Sequence, residues 1–463
     1  MHYHIVGIGG AGLSGVAHIL LDQGHTVSGS DMQLSPLAES LQKRGVPISI
    51  GHAASLIAGA DALLVTAALS ADNPEVQAAR AQGMPVLKRT DLWQEWSLQR
   101  PVVAVAGTHG KTTTTAMIAL ALDRAGMQPG FLIGSMPPSL GINARWGADT
   151  APLVIEADEY ERAFLSLKPH IAVITNVELD HVDIYANTED YQQAFRQFVD
   201  SVPEARHVIV CGDDLGALRC SQQRLVTQYG LDEQIANNPA SCRLAPLDWS
   251  AARVGSTEQH TTFEVWLYDR ATFATRLAGM QTLQVPGLHN VRNALAALAA
   301  CAALGAAPQA VSAALASFSG TARRFELKGE RAGVTVIDDY GHHPSEVAAT
   351  LAAARLRFPE RRLLAYLQPH TYSRTQALLD EWPQAFREAQ RVFVGDIYAA
   401  REHDTCGMSA NLLAERIGGQ AVGNIQHAAS YLTQLLQPGD VLITFGAGDS
   451  NKVAELVLQA LPQ

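Results

Sequence analysis

A glycine-rich segment with the sequence GTHGKTT occupies residues 107–113 and follows an apolar run at residues 102–106. This order predicts a strand, a tight loop and then an apolar helix that includes residues 116–122. Backbone N–H groups in such a loop, at the start of a helix, bind phosphates. Lys111 would reach the β- and γ-phosphates, and the Thr112 hydroxyl would bind Mg²⁺. The loop is a variant of GxxxxGK[ST], because Val105 stands where the first glycine would be.

The composition and charge of the chain limit the class of protein to which it belongs. The chain has 463 residues, 47% hydrophobic and 17% charged, which is typical of a globular protein of about three domains. A formal net charge of −11, without a basic run, argues against a nucleic-acid partner. No apolar run reaches about 18 residues, so we expect no membrane span. Residues 1–6 are strand-like without a basic region, so we expect no signal peptide.

The cysteines indicate a compartment. They are scattered, without a CxxC pair, which is typical of a reducing cytoplasm and argues against a structural zinc site. We therefore predict a cytoplasmic protein. The five are Cys211, Cys220, Cys242, Cys301 and Cys406.

Strand-like and helical segments alternate along most of the chain, which predicts α/β domains with parallel sheets. We place domain boundaries at 98/99 and 320/321, where the alternation restarts. Antiparallel strands at 261–268 and 277–285 would flank the central sheet, before helices at 290–304 and 308–316. The other predicted strands are 4–8, 26–30, 60–67, 153–155, 171–175, 207–211, 334–337, 362–367, 391–394 and 440–444.

A second glycine loop, GIGGAG at residues 7–12, lies between a predicted strand and a helix at 12–21. It matches GxGxxG, whose glycines allow close approach to a pyrophosphate. Asp31, after the second strand, is placed to bond a ribose hydroxyl. Alone this pattern indicates NAD, or merely close helix–strand packing. Two nucleotide-type loops in one chain instead point to ATP at one and a different nucleotide diphosphate at the other.

Acidic and polar segments follow two strands of the central domain. EADE occupies residues 156–159, and Glu156 is the residue expected to bind Mg²⁺, with an acidic turn as the alternative. Asp158 and Glu159 are expected in a solvated turn or behind the metal ligands. In TNVELDH, at 175–181, His181 could bind a second Mg²⁺. A structural histidine is the alternative, since Mg²⁺ prefers oxygen.

Three further segments carry candidate ligand-binding side chains. In HNVRN (289–293), Asn290 and Asn293 share a helix face and could read an adenine, with N-capping equally possible. DDYGHHP (338–344) and QPHTYSR (368–374) each follow a strand. Their histidines and arginine form a plausible anion site, with polar surface loops as the alternative.

Together these segments resemble the Mur ligases, in family order from residue 7 to residue 375. The resemblance is greatest to the member that adds L-alanine. The motifs GIGGAG, DDYGHHP and QPH.YSRT distinguish this member from the sibling enzymes that add other amino acids. The matching segments are GIGGAGLSG (7–15), GSD (29–31), DNPE (72–75), GTHGKTTTT (107–115), EADE (156–159), TNVELDH (175–181), HNVRN (289–293), RRF (323–325), DDYGHHPSE (338–346) and QPHTYSRT (368–375).

The resemblance implies an α/β protein of three domains. These would be an N-terminal Rossmann-like domain for a UDP-sugar, a central P-loop ATPase-type domain with a mixed sheet, and a C-terminal Rossmann-like domain. It implies ATP-dependent ligation of L-alanine to the lactyl carboxylate of UDP-N-acetylmuramate, through an acyl phosphate, in peptidoglycan precursor synthesis. ATP and Mg²⁺ would be required.

The resemblance also assigns residues. The ATP phosphates would contact Gly107, Thr108, His109, Gly110, Lys111, Thr112 and Thr113. The rest of the nucleotide would contact Asn290, Asn293, Arg324 and Asp339. Magnesium would be bound by Thr112, Glu156 and His181. The UDP-sugar would contact Gly9, Gly10, Ala11, Gly12, Ser30 and Asp31. The catalytic residues would be Lys111, His181, His342, His343, His370 and Arg374.

Departures and alternatives accompany this assignment. No lysine lies between Lys168 and Lys328, so the carbamylated lysine of several relatives is absent, which favours His181 as a ligand of the second metal. Tyr160 and Leu288 replace more usual family residues. Three alternatives remain: the recycling ligase that adds a tripeptide, an NAD-dependent oxidoreductase and a non-enzymatic nucleotide sensor. The first loop of the recycling ligase usually resembles GICGTFM. The sequence does not distinguish a monomer from a dimer.

Overall fold

The computed structural model describes residues 1–66, 72–234, 246–400, 402–404 and 407–462. Contacts divide the chain into two compact units, which we describe separately. The first unit comprises Met1–Val177, Gln192–Gly230 and Ala294–Leu315. The second comprises Glu178–Tyr191, Leu231–Asn293 and Ala316–Gln463. These units do not coincide with the three predicted domains, whose boundaries stay a prediction.

Strands and helices alternate, as the α/β prediction requires. The strands are β1 (His2–Val6), β2 (Thr26–Asp31), β3 (Ile48–Ile50), β4 (Ala62–Val65), β5 (Val86–Lys88), β6 (Val102–Ala106), β7 (Gly130–Leu132), β8 (Ala144–Arg145), β9 (Leu153–Glu156), β10 (Ile171–Ile174), β11 (His207–Cys211), β12 (Thr227–Leu231), β13 (Trp249–Ser256), β14 (Thr261–Asp269), β15 (Ala274–Leu283), β16 (Glu326–Arg331), β17 (Val334–Asp339), β18 (Leu363–Leu367), β19 (Arg391–Gly395), β20 (Gln420–Gly423) and β21 (Val441–Phe445).

The α-helices are α1 (Ala11–Asp22), α2 (Pro36–Lys43), α3 (Pro74–Ala81), α4 (Arg89–Gln99), α5 (Lys111–Arg124), α6 (Thr188–Asp200), α7 (Leu215–Ser221), α8 (Leu288–Ala303), α9 (Pro308–Ala316), α10 (Pro344–Arg357), α11 (Tyr372–Ala377), α12 (Trp382–Ala385), α13 (Ala410–Arg416), α14 (Ile425–Leu435) and α15 (Asn451–Ala460). Two 3₁₀ helices span Ala54–Ile57 and Tyr160–Ser166. None of the helices in the described residues is long and apolar enough to cross a membrane.

The first unit contains two stretches of sheet that place its glycine loops. The N-terminal sheet has the order β3-β2-β1-β4-β5, and all its pairs are parallel. In the central stretch, β12-β11-β10-β6-β9-β7-β8, strand β6 lies between β10 and β9 and is parallel to both. The polar segments that follow these three strands therefore meet at one edge of the sheet, where parallel strands build binding sites.

The second unit contains an antiparallel meander, β13-β14-β15, and a sheet of order β16-β17-β21-β18-β19-β20. Only β16 is antiparallel in the latter sheet. DDYGHHP follows β17 and QPHTYSR follows β18, but β21 lies between these two strands. The two segments thus lie at the ends of strands that follow one another along the chain but are not neighbours in the sheet, so an expectation that they lie at adjacent strand ends is wrong.

Most predicted elements are present, with shifted ends. Predictions for β11 and α9 are confirmed at both ends, whereas β1 ends at Val6 because Gly7 turns the chain at φ +82°. Strand β15 begins at Ala274, earlier than predicted, because Ala274 pairs with Asp269 of β14. The strand predicted at 60–67 covers 62–65, and residues 67–71 lie outside the described residues.

A buried aromatic cluster provides a stability test of the first unit. Phe164 is fully buried between Phe195 and Phe198, with ring centroids 5.1 and 4.8 Å away. We expect Phe164→Ala to lower the free energy of unfolding by about 3–5 kcal/mol in urea titrations, because it leaves a cavity. Phe273→Ala, at a side chain that is 78% exposed, is the control and should change it by less than about 0.5 kcal/mol. Equal effects would contradict this packing.

Candidate active site

The ammonium group of Lys111 is held at the start of α5 by three acceptors. Its Nζ donates to the carbonyls of Gly107 and Thr108, at 2.6 and 3.0 Å, and to Oε1 of Glu159 at 2.9 Å. Glu159 is completely buried, so the expectation of a solvated turn is wrong for this residue. Burial disfavours the ammonium, but Glu159 outweighs it and raises the pKa of Lys111. The lysine is therefore a fixed positive charge beside the phosphate-binding loop.

Thr112 and Glu156, two of the three predicted metal ligands, are in direct contact. The Thr112 hydroxyl donates to Oε1 of Glu156 at 2.7 Å, and the backbone N–H of Gly134 donates to Oε2 at 2.6 Å. A hydroxyl and a carboxylate are the oxygen ligands that Mg²⁺ prefers. Glu156 ends β9 next to β6, which explains how residues 44 positions apart meet. This pair fits a magnesium ion.

The N-terminal glycine loop is fixed by the predicted residues Ser30 and Asp31. The N–H of Gly9 donates to Oδ2 of Asp31 at 2.8 Å, and that of Gly7 donates to the Ser30 carbonyl at 2.8 Å. Gly10 is the N-cap of α1, so Ala11 and Gly12 form the first turn of the helix. The loop therefore presents the start of a helix, where backbone N–H groups lack intrahelical partners.

Sequence reasoning did not assign a role to a buried carboxylate beside this loop. Glu75 is fully buried and accepts hydrogen bonds from Ser30 Oγ, His4 Nε2 and His52 Nδ1, each at 2.9 Å. Burial would raise the pKa of Glu75, but these donors hold it below its ordinary value. Since a carboxylate only accepts, His52 carries its hydrogen on Nδ1 and its Nε2 is an acceptor. The motif DNPE at residues 72–75 is the sequence signal that could have identified Glu75.

Asn290 and Asn293 lie together in the second unit, as predicted from their spacing. Asn293 Nδ2 donates to Asn290 Oδ1 at 3.2 Å, and Asn290 Nδ2 donates to the Pro286 carbonyl at 2.7 Å. Both are buried. Helix α8 begins at Leu288, so neither is its N-cap, and the capping alternative is wrong. The amides are fixed within the first two turns of the helix.

Arg324 and Asp339 are near one another in the same unit. Arg324 Nη1 lies 3.1 Å from Oε1 of Glu346, and Asp339 accepts the N–H groups of Phe325 and Gly341 at 2.8 and 2.7 Å. Burial raises the pKa of Asp339 to about 6, although Arg324 opposes this shift. A carboxylate that is easily neutralised suits a hydroxyl partner, such as the predicted ribose, better than a metal ion.

A buried arginine organises the predicted catalytic face of the second unit. Arg374 Nε donates to Oδ1 of Asp180 at 2.8 Å, and its Nη2 lies 2.8 Å from the same oxygen in an ion pair. Its Nη1 lies 3.2 Å from Nδ1 of His370, and its Nη2 lies 3.4 Å from Nδ1 of His181. Arg374 is 9% exposed. The alternative of a polar surface loop is therefore wrong for this segment.

Two of the histidines around Arg374, His342 and His370, are neutral at physiological pH. Burial, followed by the Arg374 charge, lowers the pKa of His370 to about 4, and burial lowers that of His342 to about 3 despite Glu346. His342 Nδ1 donates to the Tyr340 carbonyl at 3.0 Å, which leaves its Nε2 as an acceptor. His343 accepts the N–H of Ser345 on Nδ1 at 3.3 Å. Arg374 is thus a permanent positive charge beside two neutral rings.

His181, the third predicted metal ligand, lies in the second unit. Its Nδ1 lies 3.4 Å from Nη2 of Arg374, and its Nε2 lies 4.0 Å from Oδ2 of Asp180. The role of His181 as a metal ligand stays a prediction.

Comparison with known families gives matches over the segments that contain these motifs. Residues 2–100 match the model of the Mur ligase family, catalytic domain, residues 105–301 the Mur ligase middle domain, and residues 323–448 the Mur ligase, glutamate ligase domain. The chain belongs to the Mur ligase family. The succession of three matched segments agrees with the three-domain α/β fold predicted from sequence.

Individual relatives and solved structures of this family are similar to the chain over nearly its whole length. A UDP-N-acetylmuramate–L-alanine ligase of Roseiflexus sp. (strain RS-1) is 58% identical, with 100% of both chains covered. The crystal structure of UDP-N-acetylmuramate-alanine ligase MurC from Thermotoga maritima has a TM-score of 0.81 and 26% identity, covering 99% of this chain and 98% of that one. A murein peptide ligase from Psychrobacter arcticus, with the same identity and coverage, has a TM-score of 0.73.

The low pKa of the buried histidines leads to a test by pH. A histidine whose pKa is lowered on folding stabilises the fold above its ordinary value of about 6.5, and this is lost as the pH falls towards the folded value. We expect the ring NMR signals of His342 and His370 to show no protonation between pH 8 and about pH 5.5. Assignment by His342→Gln and His370→Gln identifies the signals. Protonation of either ring near pH 6.5 would contradict the buried geometry.

Proposed function

We propose that this chain joins L-alanine to the lactyl carboxylate of UDP-N-acetylmuramate, with ATP as the energy source. The observation that carries the proposal is the contact of Thr112 with Glu156 beside the fixed ammonium of Lys111. This arrangement suits a nucleoside triphosphate with its magnesium ion. Two relatives named as this ligase, which the chain matches over its full length, support the choice of substrates.

The first unit would hold and activate the phosphates. The loop at residues 107–113 supplies N–H groups, and Lys111 neutralises charge on the γ-phosphate as the lactyl carboxylate attacks it. A magnesium ion held by Thr112 and Glu156 would supply further neutralisation of the phosphates. The products of this step are ADP and an acyl phosphate. The loop at residues 7–12, with Ser30 and Asp31, would bind the UDP part of the sugar.

The second unit would hold the rest of the nucleotide and the amino acid. Asn290 and Asn293 offer amides for adenine, and Asp339 beside Arg324 would contact the ribose. When the neutral amine of alanine attacks the acyl carbon, an oxyanion forms and phosphate leaves. Arg374 is the permanent charge that would stabilise this oxyanion. The neutral rings of His342 and His370, together with His343, would orient groups by hydrogen bonds.

The recycling ligase is the second candidate function. Its support is the likeness to a solved murein peptide ligase, at a lower TM-score than that to the alanine ligase. Both candidate reactions use ATP in the same way and differ in the amine that attacks the acyl phosphate. An acceptor comparison therefore separates them.

Phosphate release measured with ATP and UDP-N-acetylmuramate tests the proposed reaction. We expect release with L-alanine, less with glycine or L-serine, and almost none with a tripeptide or without the UDP-sugar. Lys111→Ala should lower the rate by at least about 100-fold, because it removes the charge on the γ-phosphate. Circular dichroism checks that this variant is folded. Release that requires the tripeptide would favour the recycling ligase, and release by Lys111→Ala at the wild-type rate would reject the site.

The proposed magnesium site predicts a change in metal dependence. Glu156→Gln should raise the Mg²⁺ concentration for half-maximal phosphate release by about tenfold or more, because an amide oxygen is a weaker ligand than a carboxylate. Glu161→Gln is the matched control, since Glu161 is exposed in the same part of the chain. An unchanged Mg²⁺ dependence in Glu156→Gln would contradict the assignment.

A further inference from the structure

Arg89 lies between the two nucleotide-type loops of the first unit. It is the first residue of α4, and its Nη2 donates to Oδ2 of Asp158 at 2.5 Å. Its Cζ lies 4.9 Å from the centre of the Trp93 ring. A Cβ added at Gly12 would lie 3.0 Å from its Nη1. The guanidinium is thus fixed with one nitrogen at the acidic segment and the other against the glycine loop.

The glycine-loop side of Arg89 suits a diphosphate. Gly12 belongs to the first turn of α1, which contains no acidic residue. A helix start attracts anions, and a planar guanidinium can donate to two phosphate oxygens. The Arg89 side chain is 23% exposed, so a ligand in the loop can reach it. Glycine at position 12 leaves room for this close approach, since a Cβ there would make Arg89 shift.

On its other side, Arg89 contacts Asp158, in the segment that holds the proposed ATP-binding residues. Asp158 lies between Glu156, which holds Thr112, and Glu159, which holds Lys111. Burial would raise the pKa of Asp158, but the charges of Arg89 and Lys111 hold it below its ordinary value. The N–H of Tyr160 donates to its second oxygen at 3.0 Å. Asp158 is therefore a fixed carboxylate whose position depends on the segment that contacts ATP.

We propose that Arg89 binds the diphosphate of the UDP-sugar and, through Asp158, couples this site to the ATP site. The inference rests on the proposed function. Binding of ATP and Mg²⁺ at Lys111, Thr112 and Glu156 would act on the segment that positions Asp158, and Asp158 holds Arg89 against the glycine loop. Packing of α4 against the 3₁₀ helix Tyr160–Ser166 adds a second connection between the same segments. Since such coupling is reciprocal, each nucleotide strengthens binding of the other.

Calorimetric titration with UDP, and then with UDP-N-acetylmuramate, tests this coupling. Each dissociation constant is measured with and without a non-hydrolysable ATP analogue and Mg²⁺. For the wild type we expect the analogue to tighten binding by about fivefold or more. Arg89→Ala should weaken binding without the analogue by about tenfold or more, the loss expected for a charged hydrogen bond. The analogue should no longer tighten binding in this variant.

Two further variants separate the charge of Arg89 from its connection. Asp158→Asn keeps the guanidinium but removes its charged partner, so binding without the analogue should stay within about threefold while the coupling is lost. Arg89→Lys keeps the charge but not the fork, and should bind UDP better than Arg89→Ala without restoring coupling. Arg44→Ala is the control, because Arg44 pairs with Asp22 at 2.7 Å, at the far end of α1 and with similar exposure. It should leave affinity and coupling unchanged.

The outcomes distinguish this inference from the proposed function. If the wild type binds neither UDP nor UDP-N-acetylmuramate, the proposed function fails. If both bind and the analogue has no effect, or if Arg89→Ala and Asp158→Asn keep the wild-type coupling, the coupling role of Arg89 is wrong. Thermal melting of each variant identifies loss of folding, and a folded Asp158→Asn that loses coupling with its UDP affinity retained supports the inference.

Discussion

Three carboxylates in one short segment hold the phosphate-binding side of the first unit in place. Glu156 accepts from Thr112, Asp158 from Arg89, and Glu159 from Lys111. These contacts exist because β9 is the parallel neighbour of β6, so the segment and the glycine loop leave the sheet at the same edge. A buried ammonium needs an opposite charge, since desolvation would otherwise remove its proton. The geometry of the whole phosphate site depends on this pairing.

The second unit uses the same principle, a buried cation paired with a carboxylate. There the fixed cation is Arg374, and its partner Asp180 is a carboxylate whose pKa burial would raise but Arg374 lowers. The same burial keeps His342 and His370 neutral. An arginine retains its charge where histidines lose theirs. Within a set of residues that looks basic in sequence, Arg374 is therefore a permanent cation, whereas His342 and His370 are neutral hydrogen-bonding rings.

Local pattern predicted much of the fold and part of the site. The apolar runs located strands such as β11, and the glycine loop located the start of α5, because both depend on neighbouring residues. The three-residue spacing of Asn290 and Asn293 predicted their contact, since helix geometry fixes it. For Glu159 the sequence left open a solvated turn or a position behind the metal ligands, and only the first is wrong, because sequence does not show which carboxylate is buried. Glu75 and Arg89 were missed, since each acts through residues distant in the chain.

The sequence by itself determined the family, the two glycine loops and the set of chemical groups available for phosphates and magnesium. These follow from motifs whose spacing fixes local backbone geometry. Only the tertiary structure decided which groups meet, which charges are paired and which histidines are neutral. It directed Lys111 to Glu159 and Arg89 to Asp158. Pairing and burial depend on sheet order and packing between distant segments, and these determine desolvation and charge.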